Sequence, residues 1–572
     1  MTTPTLPQES DNLDARSSEL DAARDLYKYK RDYKDTTFSD EVVKGEGFSA
    51  TYMADIGVSM SKLLANRGAV GSKLGYDPNA DGKTDGKERL EIVRAGLKNE
   101  FPSLDINSIA EYEALHAAVD LPRSAQHWRK DWYFAWQRLA GGYPMQLSRV
   151  RALPDNLPLT DEILRRSTTP TDTVQSAIEE GRLYVADYAI LDGLEMGVID
   201  GREKYLWAPI AVYAVVPNQI DVRAGFVSVA VQCNQTAGPD NRLWTPRDGM
   251  GWEMAKLVVQ TADAHVREVG AHTGLCHVIM EAVLIFGHHN LSKQHPVLRL
   301  LEPHLEWTQP TNEVMLNTFV GPQGNMQAYQ SPSNNGCWEL IDRTLKGVDI
   351  GNSHLEPDLA ARGVDDDDLL PWYPYRDDGR LVLRSIRQWV NSFLRVYYTS
   401  DELVRGDHEL QGWIRDLADP KKGGLNGVPR VQTFEQLEKF ISSLLWRASP
   451  YHSAINYSGW EFLGFVPNSP TSAFAPGPKN GGNTEADLVA MLPPLNVAIG
   501  AMEVMYQISH TQHNRLGKYP LAHFRDRRVA DGLNRFESEL KDASKSVKER
   551  NLERPVPYVY LDPERIAASI HV

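Results

Sequence analysis

The stretch HTGLCH, residues 272–277, holds two imidazoles five positions apart between long apolar runs. Side chains on an ordinary helix meet at spacings of three or four. At a spacing of five, a regular α-helix leaves the two rings roughly 140° apart, too far round to share a ligand. One π-type turn closes that angle, and such turns recur at functional sites. Gly274, between the two histidines, eases a distorted turn. Neutral imidazoles in an apolar interior have two readings, a shared metal ion or two separately hydrogen-bonded core histidines. A second pair lies in ASPYHSAINY, residues 448–457, where His452 and Asn456 fall at i, i+4 on one helix face. An imidazole and a carboxamide oxygen make a neutral ligand pair for a metal that takes nitrogen and oxygen. The sequence ends in PERIAASIHV, apolar where a terminus usually frays in polar residues.

The elements that must carry these residues are mostly helical. Trp252, Ala255, Val259, Ala262, Val266 and Val269 recur at helical spacing. After His277 comes VIMEAVLIFG, apolar on nearly all sides, which predicts a buried helix. That helix also carries Asp263, His265 and Glu268, polar groups that need partners inside a core. Further helical periodicity runs near 109–140, 174–180, 250–287, 380–417, 433–448, 484–512 and 525–548. Three β-rich runs, RLYVADYAIL, YLWAPIAVYAVV and FVSVAVQ, sit between turn residues. The prediction is a large, mainly α domain with a small sheet over residues 46–572, with no internal repeat and no Gly/Ser linker. The run DDDD at 365–368 reads as a solvated loop, since the turn glycine and spaced ligands of a calcium loop are missing.

Residues 1–45 read as an N-terminal extension. Its first 20 residues are polar and predicted disordered, and 20–34, LDAARDLYKYKRDYK, is predicted as a helix. That helix is either docked on the surface or in peripheral contact with a membrane, because basic and aromatic residues suit headgroup depth. The chain has 572 residues, 42% of them hydrophobic and 24% charged, and acidic residues outnumber basic ones 76 to 61. A net charge of −15 argues against a nucleic-acid surface. Three widely spaced cysteines argue against a disulfide scaffold and for a reducing, cytoplasmic setting. No apolar leader and no uninterrupted run of about 18 apolar residues is present.

Taken in order, these pieces resemble the lipoxygenase family of non-haem metal dioxygenases. The likeness spans about residues 120–572. WRKDWYFAWQRLAGGYP is similar to the family's QRL-G-NP block. GRLYVADYAILDG and KYLWAP resemble its strand-rich section, and 252–304 its first metal helix. YPYRDDGRLVL, DHELQGW, ASPYHSAINYSGWEFLGFVPNSP and PYVYLDPERIAASIHV resemble its later blocks. The resemblance implies the large helical catalytic domain around a buried metal, in a single-domain form lacking an N-terminal β-barrel.

It also implies a ligand set of His272, His277, His452, Asn456 and the main-chain carboxylate of Val572. The ion is iron, with manganese as runner-up, and a metal-bound hydroxide is the base, so no side-chain base is needed. Met315 takes the position linked to the handedness of oxygenation, where the family has Ala or Gly, and Phe319 that of a clamping leucine. Ile508 joins them in the substrate and oxygen pocket. Glu268 and Gly459 stand where the family has two glutamines behind the ligands, and His265 is read as a structural histidine or as one supporting a ligand. His288, His289, His295 and His304 are read as packing residues. The activity implied is hydrogen abstraction from a polyunsaturated fatty acid followed by O₂ addition, in a monomer. The alternatives are a hydroperoxide isomerase or an enzyme of a non-lipid substrate on the same fold, and an inactive lipid-binding protein.

Overall fold

The computed structural model describes residues 3–74, 105–321, 324, 326–520 and 522–572. The N-terminal segment departs from expectation. Helix α1 (Leu13–Leu26) starts earlier than predicted because Asn12 caps it, its side chain accepting from the Ala15 N–H. The helix does not run on to residue 34. Tyr29–Tyr33 is strand β1, paired antiparallel with β2 (Thr36–Ser39). Tyr27 stacks on His288, Tyr33 stacks on Trp338, and Tyr29 meets Phe286 edge-on. The aromatic residues that suggested a membrane surface thus face the protein interior. Nor are residues 3–20 loose: Leu6 is fully buried, and Arg16 forms a buried ion pair with Glu409. Helix α2 (Ala50–Leu74), which the periodicity did not reveal, buries Tyr52, Leu63, Asn66 and Val70.

Helix α3 (Asp131–Ala140) precedes an antiparallel five-stranded meander. Its strands, β3 (Leu147–Arg149), β4 (Leu183–Asp187), β5 (Ile210–Val215), β6 (Phe226–Gln232) and β7 (Leu243–Trp244), lie side by side in chain order. Strand β5 is buried at every position. With a side-chain period of two, Ala211, Tyr213 and Val215 join the main core. Ile210, Val212 and Ala214 join a smaller cluster with Leu157, Leu164 and Ala177. Strand β5 is therefore covered on both faces and reads as continuously apolar.

The centre of the molecule is one helical rod. Helix α4 (Met250–His265) continues through the π-helical segment Val266–Val278 into α5 (Ile279–Asn290). The rod is long and apolar enough to cross a membrane, yet the most apolar part is 94% buried inside the protein. Against it pack α6 (Thr308–Met315), α7 (Asn334–Gly347) and α9 (His408–Ala418), while α8 (Pro374–Leu394) packs on α10 (Phe434–Trp446). Then come the short α11 (His452–Asn456), α12 (Leu495–His510) and α13 (Ala530–Arg550). Several expected helices are shorter than their periodicity: the 380–417 pattern breaks between Leu394 and Asp401 without a proline, and prolines mark two other breaks. The 109–140 pattern breaks between Ala114 and Asp131, around Pro122, and the 484–512 pattern breaks at Pro493 and Pro494. The acidic run 365–368 is exposed, with Asp367 paired to Arg376 and Arg380.

Candidate metal centre

The rod's widened segment and α11 face each other. Helix α10 starts with a capping box between Thr433 and Gln436 and runs into a second π-helical stretch, Arg447–Tyr451, containing Pro450. Proline has no N–H to give, so the regular ladder is reset there, and α11 follows. The π-helical turn expected around HTGLCH is present, and it runs longer than a single turn. Gly274 is not forced by crowding, since a Cβ there would meet Ile341 at 3.7 Å, an ordinary contact.

This geometry brings His272, His277 and His452 together in the interior. The Nε2 atom of His272 lies 3.2 Å from Nε2 of His277 and 3.2 Å from Nε2 of His452. Partners on the far side of two rings decide which nitrogen is bare. The Nδ1–H of His277 donates to Asn312 Oδ1 at 2.7 Å, and Nδ1 of His272 faces Glu268 Oε2 at 3.4 Å. Both rings therefore turn an unprotonated Nε2 inward. Asn312, on α6, is in turn held by the carbonyl of His277 and by Glu281, which also accepts from Ser39. Burial pushes the pKa of His272 and of His277 down to about 3, with neighbouring positive charge adding to it, and it lowers that of His452 well below the usual imidazole value. The rings are neutral, as metal ligands must be.

Two further oxygens come from Asn456 and Val572. Asn456 donates through Nδ2 to the carbonyl of Ile508 at 2.7 Å, while its Oδ1 is buried with no hydrogen-bond partner. A main-chain oxygen of Val572 lies within hydrogen-bond reach of both His277 and His452. Converging lone pairs and an orphaned buried carbonyl oxygen are each costly, and a cation among the three imidazoles relieves the first. The residues present thus fit a metal with nitrogen and oxygen ligands. The segment before Val572 is tied down: Tyr52 on α2 donates to the carbonyl of His571, and Asn514 Oδ1 accepts from Ala568 N–H.

An apolar cavity of about 460 Å³ reaches this cluster, with His272, His277 and Val572 in its wall. Met315, Phe319 and Ile508 line it, as do Met60, Leu63 and Val504. Among its described lining residues Arg67 is the sole lysine or arginine, and it is paired with Glu503. His265 takes the structural of its two readings. Its Nδ1 meets the carbonyl of Thr261 at 2.7 Å and its Nε2 accepts from the Ser331 N–H at 2.9 Å, so it ties loops to the rod and supports no ligand. The groups nearest a Cβ at Gly459 belong to Arg267, Ser509 and Met505. His288 stacks, and His289, His295 and His304 hydrogen-bond to Tyr27, Asp407 and Ala568. Sequence reasoning missed Asn312 and Arg267. Asn312 sits 35 residues from its imidazole with no pattern linking them, whereas Arg267 was legible as a charge inside an apolar helix.

Comparison with known proteins gives the family and the fold. A family model described as Lipoxygenase matches residues 80–557. A linoleate 9/13-lipoxygenase of Pseudomonas aeruginosa is 33% identical, covering 82% of this chain and 70% of the relative. The hydroperoxide isomerase ALOXE3 of Homo sapiens is 30% identical, covering 78% of this chain and 63% of the relative. An anaerobic crystal structure of a loop-deleted LOX in complex with arachidonate superposes with a TM-score of 0.88 at 26% identity, covering all of this chain and 84% of the other.

Proposed function

This chain belongs to the lipoxygenase family, and from that premise we propose that it is a non-haem iron dioxygenase of polyunsaturated fatty acids. The observation that carries the reading is the apolar cavity ending on three converging neutral imidazoles. His272, His277, His452, the Oδ1 of Asn456 and a main-chain oxygen of Val572 would hold the ion. When bound, the ion supplies the one-electron oxidation that a bis-allylic C–H bond needs. The chain's own residues do the rest. The cavity wall strips water from an acyl chain and holds its diene beside the cluster. Met315 and Phe319 restrict the space through which O₂ reaches the resulting radical. Asn312 and Glu268 hold two of the imidazoles with Nε2 inward.

The test is to add linoleate to the aerobic, metal-loaded protein and follow O₂ uptake together with conjugated-diene absorbance. Both should rise with time. Metal-loaded protein that forms no diene, but consumes an added fatty-acid hydroperoxide without O₂ uptake, would overturn the dioxygenase reading in favour of the isomerase activity named for the human relative.

A further inference from the structure

We propose that Arg267 is a positioning residue that locks the two ligand-bearing helices together, with Glu268 as its arm to His272; this rests on the reading that His272, His277 and His452 hold a metal. Arg267 is fully buried, one step before Glu268 in the π-helical segment. Its guanidinium forms an ion pair with Glu268. The same guanidinium donates through Nη2 to the carbonyl of Ile455, with the carbonyl of Asn456 at 3.4 Å. Ile455 and Asn456 are the last residues of α11, where helix carbonyls lack intrahelical partners and the dipole end is negative. One planar cation therefore spans from the helix of His272 and His277 to the helix of His452 and Asn456. A guanidinium suits the task because its fork can serve a carboxylate and carbonyls at once.

The seat for this side chain is built from glycines. A Cβ at Gly459 would lie 2.9 Å from Arg267 Nη2, and one at Gly142 would lie 3.2 Å from Arg267 Cδ. Positions 268 and 459, where the family resemblance places two glutamines, thus hold a carboxylate and a void, and Arg267 fills the void. The carboxylate is balanced by the guanidinium and faces Nδ1 of His272 at 3.4 Å. A carboxylate behind a ligating imidazole fixes its tautomer and raises its donor strength.

The test uses the full chain, stripped and reloaded with Mn²⁺, in Arg267→Met, Glu268→Gln and the double variant. Metal affinity comes from chelator competition, ion geometry from the electron paramagnetic resonance of bound Mn²⁺, and folding from circular dichroism. Each single variant should weaken binding by about 10- to 100-fold and alter the Mn²⁺ spectrum. The double variant should lose less than the product of the two, because each single change strands the other charge in the interior. Gly459→Ala, which crowds the guanidinium and removes no charge, should alter the spectrum as well. Wild-type affinity and spectrum in Glu268→Gln, the variant that keeps the side-chain shape, would overturn the proposal even if Arg267→Met fails to fold. Absence of Mn²⁺ binding in the unsubstituted chain would instead remove the metal reading on which the proposal rests.

Discussion

At the site, what each imidazole can do is decided by the partner of its other nitrogen. For His277 that partner is Asn312. Asn312→Leu should weaken metal binding by about 10- to 100-fold, and should also lower stability by about 1–3 kcal/mol because Glu281 loses a buried donor. Chelator competition and urea unfolding measure the two effects separately. Met315 and Phe319 belong to the same scale. Both line the cavity, and both are larger than the residues the family resemblance puts there. Met315→Ala or Phe319→Ala should shift the position or handedness of the hydroperoxide more than the total rate, read by chiral chromatography. An unchanged product profile in both would mean that neither side chain steers oxygen. Of these residues the histidine pair was singled out by type and spacing, and its ligand role came with the family resemblance. Asn312 was not, because its role depends on α6 crossing the rod, a tertiary fact with no local signature.

The elements show why a spacing of five works. A π-helical segment turns less per residue than an α-helix, so His272 and His277 return to one side of the rod. The spacing carried that much in the sequence. Gly274 has no positive φ, and a Cβ there would meet Ile341 at an ordinary 3.7 Å, so neither backbone nor space demands glycine. Gly274→Ala should therefore leave metal content and turnover near wild type and change stability by no more than about 1 kcal/mol, in the stabilising direction if the helix preference of alanine prevails. A thermal scan with metal analysis checks this. Helix α2 was hidden because its sequence mixes Gly and Ser with apolar residues and is held by packing on the cavity. Strand β1 was hidden because its basic and aromatic residues match an amphipathic helix as well as they match an edge strand. The buried rod was the most legible element, since continuous apolarity with interior charges leaves few other placements.

On the scale of the whole molecule, burial has a price in acid. Desolvation lowers the pKa of His265 and of His304 from 6.5 to about 4. Between those values the unfolded chain binds protons that the folded chain refuses. Stability therefore falls as pH drops from about 6.5 toward 4, by up to ~1.4 kcal/mol per pH unit for each such group. Glu281 and Glu503, raised by burial, act in the opposite direction. The clean check is thus a difference: His265→Gln should flatten the slope of unfolding free energy against pH relative to the unsubstituted chain. The fold class and the order of the large elements were readable because the core helices are long and apolar. The connections between distant segments that complete the centre were not, because they are set by packing. The account stands on the ion those connections are built to hold, so its most direct test is elemental analysis of the purified chain beside His272→Ala, His277→Ala and His452→Ala. The account predicts about one iron per chain in the first, and loss of the metal with retained circular dichroism in each variant. Full metal occupancy in all three variants, or a well-folded unsubstituted chain that takes up no metal even when iron is supplied, would contradict it.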